Sequence, residues 1–261
     1  MEIDLKLIAD WLRANKLTLN VLKSEFMLIG SRQRIATLDT DPLQLFVAGS
    51  ALRKADSVKC LGVHVDQYLT WGSHVNTVIK KVAANLSVLK KIKPMLNRDN
   101  LVKVYNTTIR PYFDYCCLVW DSIDQTLTDK LQKIQNRAAR IITSAPYSEV
   151  RTRDVFKKLN WKTLRVSRLY SKAVMMFKIV NGLAPPYLID LFDKDVASDH
   201  YALRNSFKNL KLPKIRGEHL KRSFAYSGAK LWNSLPRYLK EEENLDKFKQ
   251  LLKHHDFALT A

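Results

Sequence analysis

The chain has 261 residues, of which 46% are hydrophobic, so a folded core is expected and wholesale disorder is excluded. No apolar run approaches the roughly 18–20 residues that cross a bilayer, and the N-terminus lacks the basic-then-apolar pattern of a signal peptide. Three cysteines make no disulfide framework. We therefore expect an intracellular protein, nuclear or cytoplasmic, that does not bind membranes.

The charge is strongly positive. Lys and Arg number 44 against 25 acidic residues, a net charge of +19. The excess is greatest over residues 121–180, where 13 basic and 5 acidic residues give 13 − 5 = +8. Such a surface favours polyanions, chiefly nucleic acid, through counterion release. A merely solvated surface is the alternative, but a magnitude of about 2–8 is enough to keep a small domain soluble.

The first part of the chain mixes helix and strand signals. Apolar spacing predicts a helix over residues 3–14. Three β-rich stretches follow, the last of them broken by Gly62, and Asp39 and Asp41-Pro42 supply turn chemistry between them. These stretches cover residues 25–29, 43–47 and 58–65.

From Trp71 onward the period of the apolar residues is helical. We expect residues 112–120 to be buried, residues 193–222 to be loop-rich, and a compact piece to end near residue 257. The predicted helices cover residues 75–92, 98–109, 126–142 and 162–180. The fold class is therefore α+β, predominantly helical. Its predicted domains are residues 1–70, which contain the strands, 71–190, which form a helical bundle, and 191–261, a small helical appendage.

Two helices carry stripes of cations at steps of three and four residues. No acidic residue interrupts the first stripe, so we expect it to follow a phosphate backbone without reading sequence. The second stripe follows the same logic with fewer cations. A solvated helix face is the ordinary meaning of such a pattern. The first stripe consists of Lys130, Lys133, Arg137 and Arg140, and the second of Arg165, Arg168 and Lys172.

Several segments occur in an order that identifies a family resemblance. Residues 11–20 and 23–28 resemble the fourth palm motif of non-LTR retrotransposon reverse transcriptases of the jockey-like kind. Residues 58–63, with Trp71 and His74, resemble the fifth motif, the primer grip. Further matches to the thumb and to the tail beyond it are Arg110-Pro111-Tyr112 with Tyr115 and Trp120, Lys133 to Arg140, and Ser223 to Pro236.

The resemblance implies roles for particular residues. Lys23 corresponds to a palm lysine near the phosphates of the incoming nucleotide, where a cation neutralises the leaving group. Leu61 and Gly62 correspond to the primer grip, and a glycine there lets the backbone approach nucleic acid closely. Trp71 and Trp232 could stack on bases, but core packing is the expected role of both.

The resemblance also implies that fingers, first metal-binding Asp and Tyr-x-Asp-Asp all lie upstream of residue 1. We therefore expect no catalytic residue, no metal site and no cofactor in this chain, with Mg²⁺ needed only by the intact polymerase. The remaining carboxylates have structural interpretations. Asp121 and Asp124, for example, are expected to cap helices.

The sequence therefore predicts a truncated RNA-directed DNA polymerase, inactive alone, whose thumb grips an RNA template or an RNA–DNA hybrid. The alternative is a domesticated or relic protein-interaction module without nucleic-acid function. Such a module would leave apolar faces that once packed on the palm and fingers exposed to a partner. A third hypothesis, that another chain supplies the catalytic part, conflicts with the precision that metal ligands require.

Overall fold

In a computed structural model of the chain, residues 2–38, 43–47, 49–192, 208–215 and 217–257 are described. The turn predicted at Asp39 and Asp41-Pro42, and most of the loop-rich segment predicted over residues 193–222, lie outside them. The described residues are mainly helical with a few short strands, as the sequence predicts. The chain divides into two compact units, residues 1–77 and residues 78–261, and the division falls within one helix.

Among its described residues, the first unit contains two α-helices, six short strands and the start of a third α-helix. The helices are α1 (Glu2–Ala14), α2 (Arg32–Leu38) and the beginning of α3 (Gly72–Ile92). The strands are β1 (Glu25–Phe26), β2 (Phe46–Val47), β3 (Ser50–Ala51), β4 (Arg53–Lys54), β5 (Ser57–Cys60) and β6 (Val63–Asp66). They form three two-stranded sheets, in which β1 pairs with β4 in parallel while β2 pairs with β3 and β5 with β6 antiparallel.

The β-rich stretches are shorter and more divided than predicted. Only Glu25–Phe26 and Phe46–Val47 of the first two stretches are strand. The third is a hairpin in which Cys60 pairs with Val63. The glycine read as a break within one strand is therefore part of the turn between two strands.

A single carboxylate organises the entry into α3. Asp66 Oδ1 accepts hydrogen bonds from the backbone N–H groups of Tyr68 (3.1 Å) and Thr70 (3.0 Å), and its Oδ2 accepts from Trp71 N (2.8 Å). Leu69 and Trp71 have positive φ values of 52° and 63°. These three bonds hold two residues in a backbone region that non-glycine side chains disfavour. Trp71 is buried, as expected for core packing.

The second unit continues α3 and adds ten helices among its described residues. The first five of them are α4 (Arg98–Thr108), α5 (Arg110–Asp114), α6 (Gln125–Thr143), α7 (Thr152–Leu159) and α8 (Leu164–Val180). The others are α9 (Pro186–Ile189), α10 (Glu218–Arg222), α11 (Phe224–Ser234), α12 (Arg237–Glu241) and α13 (Leu245–His254). The four long helices predicted from Trp71 to Val180 are thus confirmed. Part of the predicted loop is helix α10.

The core of this unit forms where α8 meets α11 and α13. Phe177 stacks on Phe248 with ring centroids 4.4 Å apart, and Trp232 packs against the same ring. Residues 112–120, predicted to be buried, are buried only in part. Phe113, Cys117 and Trp120 are buried, whereas Tyr115 and Val119 are more than half exposed.

The segment resembling the family tail has a structural explanation. Trp232 is buried, as expected, and its Nε1 donates to Lys208 O at 2.8 Å. Asn233 exchanges two 2.8 Å hydrogen bonds with the backbone N–H and C=O of Leu210. The Asn233 side chain thus pairs with the backbone of Leu210 as a neighbouring β-strand would. Together, Trp232 and Asn233 fix residues 208–210 against α11.

Lys240 has an uncommon environment. Its side chain is 1% exposed, and Nζ donates to Asn209 Oδ1 (2.9 Å) and to Asn233 O (2.8 Å). Burial lowers its pKa from 10.5 to about 8. Burial disfavours the charged form of the amine, and hydrogen bonds to two uncharged oxygens offset the loss of hydration only in part.

We predict that Lys240 makes stability depend on pH in the alkaline range. Between about pH 8 and 10.5 the unfolded chain keeps a proton that the folded chain has lost, so the free energy of unfolding rises with pH. The rise should be between about 1 and 3 kcal/mol. Urea unfolding at pH 7.5 and 10 measures it, and Lys240→Met should abolish the part due to this group. An unchanged pH dependence in Lys240→Met would contradict the prediction.

Candidate nucleic-acid interface

Helix α6 is fixed by caps at both ends. Asp124 Oδ1 accepts from Leu127 N at 2.7 Å, which confirms the capping role expected for this residue. Ser144 ends the helix in the left-handed conformation, with φ of 55°. One face is buried in the unit, through Leu127, Leu131, Ile134, Ala138, Ala139 and Ile142. The opposite face is therefore available to solvent.

Three of the four cations predicted on this helix lie on that exposed face. Lys130, Lys133 and Arg137 are exposed. At 1.5 Å per residue their Cα atoms are separated by about 4.5 and 6 Å along the helix axis. We call these three residues the α6 cation row. Their long, flexible stems allow each charged group to reach a separate phosphate.

Arg140, the fourth predicted cation, has a different position and is 8% exposed. Its Nη1 donates to Pro146 O and its Nη2 to Val150 O, both at 2.8 Å. Its guanidinium also lies 4.4 Å from the ring centroid of Tyr147. Arg140 therefore holds the α6–α7 connection in place. Arg140 was expected to face solvent with the other three cations, but it is buried because the α6–α7 connection folds back over its side chain.

An amide network fixes the rotation of α6 about its axis. Gln132 Nε2 donates to Gln135 Oε1 and Asn136 Oδ1, both at 2.8 Å. Gln132 Oε1 accepts from Leu164 N (3.0 Å), and Gln135 Nε2 donates to Lys162 O (3.2 Å). The amides thus bind α6 to the start of α8. Because the α6 cation row alternates with this network, the same contacts direct the cations outward.

The second predicted stripe, on α8, is divided in the same way. Arg165 is exposed, whereas Arg168 and Lys172 are 6% and 7% exposed. Lys172 Nζ lies 2.6 Å from Asp121 Oδ2 and donates to Ser227 Oγ at 3.1 Å. Lys172 is therefore held by an internal ion pair. The expectation that Asp121 caps a helix was wrong, because its carboxylate pairs with α8.

Arg168 joins the same buried group. Its Nη1 lies 3.9 Å from Asp121 Oδ1, and its guanidinium lies 4.3 Å from the ring centroid of Trp120. Burial lowers the pKa of the guanidinium, and the Asp121 carboxylate opposes that shift. Among the described residues, Nε and Nη2 of Arg168 have no hydrogen-bond partner. The Arg168 and Lys172 side chains therefore face the interior, not a phosphate backbone.

Two neighbouring clefts extend the basic surface beside α6, and of their cations sequence periodicity singled out only Arg137 and Arg140. The first, of about 340 Å³, is lined by Lys90, Lys93, Arg137 and Tyr147, whose ring is 72% exposed. The second shares Lys93 and Ser144 with it and adds two cations, Arg98 and Lys158. Cations beside an exposed aromatic ring suit a phosphate backbone with accessible bases. For Lys90 and Lys93 the sequence signal was the run of lysines around the end of α3.

The remaining predicted residues lie in the first unit. Lys23 is exposed and ends a short 3₁₀ turn, where its N–H donates to Asn20 Oδ1 at 3.2 Å. Leu61 and Gly62 form the two-residue turn of the β5–β6 hairpin, with φ of 45° and 87°. Leu61 is 86% exposed, so the turn presents an apolar side chain in a backbone region that leucine disfavours.

Within the described residues, no group of three or more His, Cys, Asp or Glu side chains is placed to hold a metal ion. The described residues therefore do not fit a two-metal polymerase centre. None of the helices in the described part of the chain is long and apolar enough to cross a membrane.

The features above define a basic, mainly helical protein, and comparisons with known proteins agree with the resemblance seen in its motifs. The chain is 22% identical over 190 residues to the probable RNA-directed DNA polymerase from transposon X-element of Drosophila melanogaster, covering 68% of this chain and 20% of that protein. It is 28% identical over 141 residues to the probable RNA-directed DNA polymerase from transposon BS of the same fly, covering 51% and 15%.

A third relative is the RNA-directed DNA polymerase from mobile element jockey of Drosophila funebris, 29% identical over 112 residues, covering 42% of this chain and 12% of that protein. The chain thus matches one fifth or less of the length of these curated relatives. The resemblance to jockey-like non-LTR retrotransposon reverse transcriptases is confirmed. No protein-family model and no solved structure matches the chain.

Proposed function

We propose that this chain binds the template–primer for a non-LTR retrotransposon RNA-directed DNA polymerase. In this proposal residues 1–70 are the end of the palm, residues 71–190 the thumb and residues 191–261 the tail. The carboxylates and Mg²⁺ that transfer the phosphoryl group belong to the polymerase as a whole, and this chain alone does not polymerise. Its ligands are an RNA template and the RNA–DNA hybrid made by copying it.

The observation that carries the proposal is the surface around α6. The α6 cation row lies next to two clefts that add Lys90, Lys93, Arg98 and Lys158. In the part of the chain that the structure describes, no acidic side chain lines either cleft. A surface of this kind contacts phosphates and positions a duplex without reading its sequence. Arg165 is a further exposed candidate on α8.

The test is binding of the purified chain to a blunt RNA–DNA hybrid across a salt series. The logarithm of the association constant should fall linearly with the logarithm of salt, with a slope of about −3 to −6 for four to six phosphate contacts. A double-stranded DNA of the same length serves as the comparison duplex. A folded, monodisperse chain that binds neither duplex at low salt would refute the proposal.

A second candidate function rests on α1. Ile3, Leu7, Ile8 and Trp11 are between 54% and 76% exposed, although their spacing makes one apolar face. Such a face suits a protein partner, either the rest of the polymerase or an unrelated protein. Self-association or protein binding that α1 substitutions abolish, combined with no affinity for the hybrid, would favour an interaction module.

Replacing Leu61 in the β5–β6 turn should change stability and hybrid affinity in opposite directions. A two-residue turn with both φ values positive favours Asn-Gly, and leucine in this conformation costs roughly 1–2 kcal/mol. Leu61→Asn should therefore raise the free energy of unfolding by about 1 kcal/mol. If the leucine contacts the primer, as its correspondence to the primer grip implies, the variant should also bind the hybrid several-fold more weakly. Urea unfolding and hybrid titration measure both, and unchanged affinity in a stabilised variant would remove Leu61 from the interface.

A further inference from the structure

The second unit contains a cavity that is separate from the α6 cation row. Its volume is about 510 Å³, within the range of roughly 300–1,000 Å³ typical of small-molecule sites. Four parts of the chain besides α6 converge on it: α4 and α5, the α7–α8 connection, the first half of α8, and the end of α13. The cavity is thus formed by elements distant in sequence, and it has walls of two chemical kinds.

One wall is aromatic. Tyr105 and Trp161 stack with ring centroids 4.1 Å apart, and Phe156 meets the Trp161 ring edge-on from behind at 6.1 Å. Tyr170 adds a third ring to the lining, and its hydroxyl donates to Lys249 O at 3.5 Å. Burial raises the pKa of Tyr105 to about 12, so this phenol carries no charge at neutral pH. Tyr105 itself is buried, so the partly exposed rings of Trp161 and Tyr170 present the apolar surface of this wall.

The other wall is cationic. Lys162 Nζ donates to the backbone oxygen of Lys253 at 2.9 Å, and the Lys253 side chain lines the same cavity. Burial and the nearby Lys253 charge both lower the pKa of Lys162. Arg110 also lines the cavity and forms an ion pair at 3.1 Å with Asp114, the one acidic residue among the described residues that line it. Three cations against one carboxylate leave about two positive charges for an anion to neutralise.

We propose that this cavity binds one nucleotide, with its base against Trp161 and Tyr170 and its phosphate between Lys162 and Lys253. A purely apolar ligand would make no contact with the ammonium groups, and a bare phosphate would leave the aromatic wall unused. A nucleoside monophosphate has both the ring and the roughly two negative charges that the walls complement. This inference rests on the proposed function for its biological setting. The nucleotide is either free or an unpaired residue of the bound strand.

The first measurement is titration calorimetry of the whole chain with adenosine 5′-monophosphate, adenosine and ribose 5-phosphate. The monophosphate should bind one to one, and each of the other two should bind at least tenfold more weakly. Lys253→Ala removes one ammonium group but keeps the backbone oxygen that Lys162 contacts, and it should weaken the monophosphate about tenfold. Lys247→Ala, on the same helix but outside the cavity, is the matched control and should change nothing.

The second measurement distinguishes the two sources of the nucleotide and separates this inference from the proposed function. If the site takes an unpaired residue of the strand, Lys253→Ala should weaken a hybrid with a single-stranded overhang but not a blunt one. If it takes a free nucleotide, only the monophosphate titration should change. If Lys253→Ala changes the affinity neither for the monophosphate nor for the hybrid with an overhang, the inference is overturned. Binding of the blunt hybrid, which does not need the cavity, still decides the proposed function.

Discussion

Replacing Lys130, Lys133 and Arg137 together by alanine should lower the affinity for an RNA–DNA hybrid by about two orders of magnitude at low salt. Each side chain is exposed on one face of α6, so its removal should leave the fold intact. Each lost phosphate contact should make the salt slope about 0.9 less negative, and the triple variant about 2–3 less negative. Fluorescence anisotropy with a labelled hybrid at four or more salt concentrations measures both quantities.

A matched variant controls for net charge. Lys221→Ala, Lys230→Ala and Lys247→Ala remove three exposed cations from α10, α11 and α13, and so change the total charge equally. This second triple variant should bind within a few-fold of the original chain. Equal losses in the two variants would mean that binding depends on overall charge, and the α6 surface would no longer be the interface.

Position on a helix could be predicted from the sequence, but burial of the last cation could not. The apolar period over residues 126–142 predicted α6, observed as Gln125–Thr143, with its buried face. Arg140 continues the spacing of the exposed cations, yet it is buried because residues 146–152 fold over it and accept its hydrogen bonds. A contact between a helix and the loop after it has no period, so local spacing does not predict it.

The same limit explains the α8 stripe and the cavity. Lys172 is buried because Asp121, 51 residues earlier, supplies a carboxylate beside it. Trp161 and Lys253 line one cavity although 92 positions separate them. These pairings follow from tertiary packing, which one sequence does not reveal. The β5–β6 hairpin was closer to prediction. Gly62 indicated that the strand is interrupted there, but it did not indicate that the interruption is a two-residue turn.

Removing the Asp121 carboxylate should have the largest effect on stability. Asp121→Ala should lower the free energy of unfolding by about 3–5 kcal/mol. The substitution leaves the buried Lys172 ammonium without its counter-charge, and it removes the carboxylate 3.9 Å from the Arg168 guanidinium. The exposed ion pair of Arg237 with Glu241 provides the comparison. It has the same 2.6 Å separation, but its side chains are 64% and 45% exposed. Glu241→Ala should therefore cost no more than about 1 kcal/mol.

A double-mutant cycle then tests whether Lys172 serves the fold or a ligand. Lys172→Met removes the buried charge and fills similar space, so Asp121→Ala combined with Lys172→Met should recover much of the stability that Asp121→Ala loses. Urea unfolding of the four proteins gives the coupling energy, expected to exceed 1 kcal/mol. Because the ammonium faces inward, Lys172→Met should leave hybrid affinity within a few-fold of the original. A folded Lys172→Met variant that binds the hybrid tenfold more weakly, with no coupling to Asp121, would return Lys172 to the nucleic-acid interface.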